Sequence, residues 1–63
     1  MKFFVSIYAQ GTWFYMTRNT ASTVKERAAR FDTQRGALVG MLAQLDYLAS
    51  IGATEFKIRQ EKI

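Results

Sequence analysis

The chain of 63 residues contains no cysteine, no histidine and no proline. Without cysteine it can form neither a disulfide nor a thiolate metal site, and cysteine usage says nothing about the compartment. Without histidine it lacks the usual proton shuttle near neutral pH and the commonest zinc ligand. A domain this small buries only about 60% of the surface that its unfolded chain exposes. We therefore expect a single domain over residues 1–63 that depends on packing or on a partner.

The acidic and hydroxyl side chains form no recognisable catalytic pattern. Glu26 and Asp32 stand where helix caps are expected, and the other carboxylates are scattered along the chain. No serine or threonine has an obvious base beside it, and no glycine-rich loop could hold a phosphate. The sequence therefore predicts a protein that is not an enzyme and has no metal and no cofactor.

The first residues bear only a weak similarity to a signal peptide. Lys2 precedes an apolar run, but Ser6 interrupts that run and Gln10 ends it early. No stretch approaches the ~20 apolar residues of a membrane-spanning helix. We expect a cytoplasmic protein that makes no use of a membrane.

Three segments show the alternation of β-strands. Residues 2–9 alternate, and residues 12–18 follow after the turn-like pair Gln10-Gly11, so the two segments predict a hairpin. Residues 54–60 alternate again and predict a closing strand antiparallel to the first. The expected sheet has three antiparallel strands in the spatial order second, first, third.

Two helices are expected between the second and third strands. Thr23 and Glu26 have the spacing of a capping box, which predicts a short helix over residues 24–30. Asp32 or Thr33 can cap a longer helix that runs to about Ile51, with Gly52 as its left-handed stop. We expect the long helix to bury one apolar stripe against the sheet, formed by Leu38, Met41, Leu42, Leu45, Leu48 and Ala49. The fold class is α+β, with the order β-β-(α)-α-β.

The hairpin register decides which aromatic side chains face the helix. If the turn consists of Gln10 and Gly11 alone, Ala9 pairs with Thr12 and Ile7 lies opposite Phe14. A three-residue loop with a bulge at Gly11 would flip the second strand instead. With the shorter turn, the face away from the helix carries large aromatic residues and cations, namely Phe4, Tyr8, Trp13, Tyr15, Lys57 and Arg59.

Three interpretations of this aromatic surface remain open. The short helix or a second copy of the chain could cover it, because large exposed apolar patches usually bury something. It could bind a partner protein, since Trp, Tyr and Arg dominate interface hot spots. It could also stack the bases of a single-stranded nucleic acid, although the spacing of ribonucleoprotein motifs is absent.

Basic residues concentrate in the middle of the chain, within a net charge of +4. Five of them are candidates for a basic patch: Arg18, Lys25, Arg27, Arg30 and Arg35. They could form a solvated face that keeps the protein soluble, or an electropositive strip for phosphate groups or an acidic protein surface. Gly36 and Gly40, four residues apart in the long helix, would let another part of the chain approach closely.

The segment from Trp13 to Thr20, followed by Ala28 to Thr33, resembles short phage and prophage proteins. Those proteins pair an aromatic hairpin with an Ala-x-x-Phe-x-Thr/Ser link into a helix. The resemblance implies a phage-encoded accessory protein, in a group that includes inhibitors of host defence such as anti-CRISPR proteins. The implied partner is a host protein or ribonucleoprotein complex, for example a CRISPR effector, in the bacterial cytoplasm. It leaves nucleic-acid contact and a homodimer as further options.

Overall fold

The computed structural model describes residues 2–61, which form an antiparallel sheet with helices on one side. The elements are β1 (Lys2–Ala9), β2 (Thr12–Met16), β3 (Ala21–Ser22), a 3₁₀ turn (Lys25–Arg27), α1 (Gln34–Ala43), α2 (Leu45–Ser50) and β4 (Ala53–Glu61). The strand order is β3-β2-β1-β4. The α+β class and the antiparallel sheet are confirmed. The prediction of three strands is wrong, because a short fourth strand lies beside β2.

The hairpin between β1 and β2 has the shorter of the two turns considered. Gln10 and Gly11 both adopt positive φ, at 52° and 79°, as a two-residue turn of the type that joins twisted strands requires. Ala9 therefore pairs with Thr12, and Ile7 pairs with Phe14. This register leaves the aromatic surface on the side away from the helices.

The added strand β3 arises from a segment that the sequence predicts as a turn. β2 ends at Met16 rather than at Arg18, and a tight loop then reverses the chain. The amide of Thr17 donates to the carbonyl of Thr20 over 2.9 Å, and the amide of Thr20 donates to the Thr17 hydroxyl over 3.0 Å. The loop brings Ala21 opposite Met16, where it extends the sheet by two residues.

The predicted short helix over residues 24–30 is wrong. Only the 3₁₀ turn forms, and the predicted Thr23–Glu26 capping box does not cap it. Val24 is the residue at the N-cap position, and no side chain caps the turn there. The Val24 amide donates to the Ser22 hydroxyl over 3.1 Å. The chain then runs extended along the sheet. Phe31 exchanges two backbone hydrogen bonds of 2.8 Å with Phe3. These bonds pair the backbone amide and carbonyl of Phe3, which lies on β1 beyond the end of β2. They also bring the Phe31 side chain against the core.

The long helix begins and ends as predicted but is interrupted. The Thr33 hydroxyl accepts a 2.9 Å bond from the Gly36 amide as the cap, and Gly52 ends the helical segment at φ 84°. Gln44 leaves helical geometry at φ −109° and ψ 13°, dividing α1 from α2. Its side-chain amide donates to the carbonyls of Thr17 and Arg18, both at 2.9 Å. The residue that interrupts the helix is thus also the one whose side chain hydrogen-bonds the loop after β2.

The helices present a different stripe to the sheet from the one predicted. Leu48 is buried and Met41 is half-buried, but Leu38, Leu42, Leu45 and Ala49 are exposed. Ala37 is fully buried instead. The Phe31 ring takes up the room beside Gly40, so α1 turns its small residues toward the core and its leucines toward solvent. The buried centre consists of Val5, Ile7, Ala9, Met16, Ala37 and Leu48.

Candidate aromatic binding face

The sheet register collects all six predicted binding residues on one face. Tyr8 pairs with Trp13, and Ser6 pairs with Tyr15 on one side and with Lys57 on the other. Directly paired residues of antiparallel strands project to the same side of a sheet. The face opposite the helices therefore carries Phe4, Tyr8, Trp13, Tyr15, Lys57 and Arg59. We call the four aromatic residues among them the aromatic face.

The aromatic face is built from two tilted ring pairs. The centroids of Phe4 and Tyr15 lie 5.7 Å apart, and those of Tyr8 and Trp13 lie 5.1 Å apart. Tilted contacts at these distances are favoured by the ring quadrupoles. Phe4 is only 4% exposed, whereas Trp13 is 37% exposed. Phe4 therefore forms the floor of the surface, and Trp13 is its most accessible ring.

Two lysines lie over these rings. The Nζ atom of Lys57 lies 5.4 Å from the centre of the Trp13 ring, and that of Lys25 lies 5.5 Å from the centre of the Phe4 ring. Lys57 extends across the small, buried Ser6, because β1 lies between β4 and β2. Such cation–π contacts contribute about 0.5–1 kcal/mol at exposed sites. The side chains of Lys25 and Lys57 thus cover part of the aromatic face.

A hollow of about 370 Å³ lies among these side chains. Its lining residues are Phe4, Ser6, Trp13, Tyr15, Lys25 and Arg59. None of these lining residues is acidic. The hollow, which we call the aromatic hollow, therefore offers aromatic walls and a positively charged rim to an anionic or carboxylate-bearing group.

Three of the five residues of the predicted basic patch line one hollow, and the other two are Lys25 and Arg35. Lys25 lies over the aromatic face, whereas Arg35 is exposed on α1. Three arginines line a second hollow of about 550 Å³ between residues 27–31 and the helices, which we call the basic hollow. They are Arg18, Arg27 and Arg30.

Arg30 is already engaged within the protein. Its guanidinium makes a two-bond contact with the Glu61 carboxylate, at 3.1 and 2.9 Å, and a 2.7 Å bond to the Ala28 carbonyl. The hydrogen bonds to Glu61 raise the pKa of Arg30, and the same contact lowers the pKa of Glu61. Arg30 thus ties the segment after the 3₁₀ turn to β4, which leaves Arg18 and Arg27 as the arginines of the basic hollow for which no internal ion pair is seen in residues 2–61.

Sequence reasoning missed a second exposed apolar surface on the helices. Leu38, Val39, Leu42 and Leu45 are 41–58% exposed, and we call this row the helix ridge. The signal for it was Val39, which lies off the predicted stripe. A helix with apolar residues on more than one side exposes some of them when only one side meets the sheet.

Within residues 2–61, the helices are too short and too polar for any of them to cross a membrane. In the same part of the chain, no group of three or more acidic side chains is placed to hold a metal ion. Comparisons with protein-family models, curated proteins and solved structures found no match to this chain.

Proposed function

We propose that this protein is a small, non-catalytic binding module that associates stoichiometrically with a partner protein through its aromatic face. One observation carries the proposal: within residues 2–61, an aromatic hollow with a cationic rim lies on the sheet face opposite α1 and α2. Exposed Trp and Tyr side chains beside Arg are the residues that dominate interface energetics.

The chemistry of the hollow favours an acidic partner surface. Lys25, Lys57 and Arg59 surround Trp13 and Tyr15, and the chain carries a net charge of +4. A positive rim accelerates encounter with a negative surface and repels basic ones. The aromatic rings supply apolar contact area, while the cations select the partner and orient it.

The finer proposal is a phage-encoded inhibitor of a host defence complex, of the anti-CRISPR type, acting in the bacterial cytoplasm. Its support is the sequence resemblance in the hairpin and in the link to α1. A binding protein of this kind needs only a surface that blocks its target, which agrees with a site made of aromatic residues and cations. The target on this proposal is a host protein or ribonucleoprotein.

The test is affinity capture from the host lysate with a double variant, Tyr8→Ala with Trp13→Ala. We expect the wild-type chain to retain a specific partner after nuclease treatment and the double variant to lose it, because both accessible rings of one pair are removed. The matched control is Leu42→Ala, which truncates an exposed apolar residue on the opposite side of the molecule.

Circular dichroism must show that the double variant remains folded. A partner held equally by the wild-type chain and by the folded double variant would contradict binding through the aromatic face. Loss of the same partner in Leu42→Ala would show that the helices contribute to capture, by direct contact or by self-association. If the partner is captured only without nuclease, the alternative below is favoured.

The alternative is a small basic protein that binds nucleic acid, and the observation that favours it is the basic hollow. Arg18 and Arg27 line this hollow, and no ion pair is seen for either of them in residues 2–61. Two phosphate contacts on a single strand predict a log–log salt dependence with a slope of about −1.4. Fluorescence anisotropy with a labelled oligonucleotide measures that slope, and Arg18→Gln with Arg27→Gln should remove binding. Absence of binding at low salt eliminates this alternative.

A further inference from the structure

The helix ridge is the largest run of exposed aliphatic side chains in the part of the chain that the structure describes. Val39 is 58% exposed and Leu42 is 54% exposed, each flanked by a leucine that is 41% exposed. Leu38, Val39 and Leu42 share one side of α1, and Leu45 begins α2 just past the interruption at Gln44. Contiguous apolar stripes of this kind mark association surfaces on soluble proteins.

Opposite charges bracket the helix ridge. Arg35 lies one helical turn before Leu38 in α1, and Asp46 lies four residues after Leu42, in the first turn of α2 beyond the interruption at Gln44. Both are exposed, and neither takes part in an ion pair within residues 2–61. The stripe therefore runs from a positive end, through an apolar centre, to a negative end.

This charge order makes the stripe complementary to itself in one orientation. Positions 35 and 46 are placed symmetrically about a point midway between 39 and 42. An antiparallel pair of helices related by a two-fold axis at that point brings Val39 against Leu42 of a second copy. The same axis sets each Arg35 beside the other copy's Asp46, whereas a parallel pair would bring like charges together.

We propose that two copies of this chain associate through the helix ridge as an antiparallel, two-fold pair. The ridge lies on the helices, and the aromatic face lies on the other side of the sheet. The pairing therefore leaves the aromatic face free, and it differs from a dimer that would bury that face. It does not depend on the proposed partner protein.

The size of the helix ridge limits the affinity expected for the dimer. The apolar stripe is four side chains long and each is only about half exposed, so the contact falls below the ~1,200 Å² that separates weak from stable interfaces. We expect a weak, reversible dimer, because interfaces below this size are typical of transient complexes. Sedimentation equilibrium over a series of protein concentrations measures its dissociation constant.

The first test substitutes the centre of the ridge. Leu42→Lys should weaken dimerisation at least tenfold, because it places a charge in the apolar centre of the contact. The control is Val24→Lys, which makes the same kind of change at a residue that is 43% exposed but lies before the 3₁₀ turn. Both positions are exposed, so thermal melting should show both variants folded.

Two further variants test the antiparallel order. Arg35→Asp and Asp46→Arg should each weaken the dimer, and combining them should restore it, since the pairs are re-formed with reversed polarity. The absence of cysteine allows a second check by oxidation. A mixture of Arg35→Cys and Asp46→Cys chains should form a disulfide-linked heterodimer, whereas Arg35→Cys alone should remain uncrosslinked.

Each other outcome overturns the proposal. A wild-type chain that stays monomeric at about 1 mM does not pair through the ridge. A dimer that survives Leu42→Lys but is lost in Trp13→Ala uses the aromatic face. Rapid self-crosslinking of Arg35→Cys means a parallel arrangement.

Discussion

The ring of Phe31 lies directly against Gly40. A β-carbon added at Gly40 would come within 2.7 Å of the Phe31 Cζ atom and 2.8 Å of Cε2, both closer than real carbon contacts. The glycine is thus the helix position that lets an aromatic side chain from the preceding extended segment enter between α1 and the sheet. Phe31 in turn is fixed by its two backbone bonds to Phe3.

Gly40→Ala should destabilise the protein even though alanine favours a helix by about 1 kcal/mol over glycine. Displacing a packed ring typically costs 1–3 kcal/mol, so we expect a net loss of about 1 kcal/mol and a fall in Tm of about 5 °C. In a Phe31→Leu background the same substitution should be neutral or stabilising, because the ring is absent. Thermal melts of the four chains measure this coupling, and a higher Tm for Gly40→Ala alone would refute the contact.

Glu61→Gln should reduce the loss of stability that accompanies a fall in pH. Hydrogen bonding to Arg30 lowers the pKa of Glu61 below its ordinary value of 4.5 in the folded state. The unfolded chain therefore binds the proton more readily, and the stabilisation is present above about pH 4.5 and is lost as the pH falls through the folded-state pKa. Melting temperatures between about pH 3 and 7 should fall less steeply in the variant than in the wild-type chain.

Asp32→Asn is the comparison for that experiment. Lys2 lowers the pKa of Asp32 in the same direction, but the two side chains are 50% and 82% exposed. Solvent screens a pair this exposed, so its substitution should change the profile less than Glu61→Gln does. An equal or larger effect of Asp32→Asn would contradict the expectation that the Arg30–Glu61 contact is the more stabilising of the two ion pairs.

Lys57→Ala should make the Trp13 ring more accessible. Trp13 is the single tryptophan of the chain, so its fluorescence reports on this position alone. Removing the lysine that lies over the ring should shift the emission to the red and increase quenching by acrylamide. The matched control is Lys25→Ala, which uncovers Phe4 and should leave the tryptophan signal unchanged. Equal quenching in both variants would contradict the placement of Lys57.

The strands could be predicted because their signals are local. Alternation in residues 2–9 and 54–60, and a turn containing Gly11, determine the strands of the hairpin and the closing strand. The two-residue turn then fixes the face on which Trp13 and Tyr15 lie. The six predicted binding residues could be placed on one face from the sequence because a sheet register is periodic. The burial of Phe4 could not be predicted, since it depends on contacts with Tyr15 and with Lys25, which lies in another segment.

The middle of the chain could not be predicted because long-range contacts decide its structure. The capping-box spacing of Thr23 and Glu26 favoured a helix, but backbone bonds to Met16 and Phe3 hold residues 29–31 extended. The side of α1 that faces the sheet is the one on which Gly40 leaves room for the Phe31 ring. Leu38 and Leu42 thereby became exposed, and no periodicity within the helix could reveal a ring supplied from outside it.

The helices cover only one side of the sheet, so the two exposed surfaces point in opposite directions. A pair of chains joined by their helices would display two aromatic faces, one at each end of the particle. If a target presents two acidic sites within reach, the second contact becomes intramolecular, and apparent affinity can rise by about 10²–10⁴ without any new contact. Such a dimer would bind a target with two sites more tightly than a target with one site. Leu42→Lys would reduce this avidity while leaving each individual contact intact.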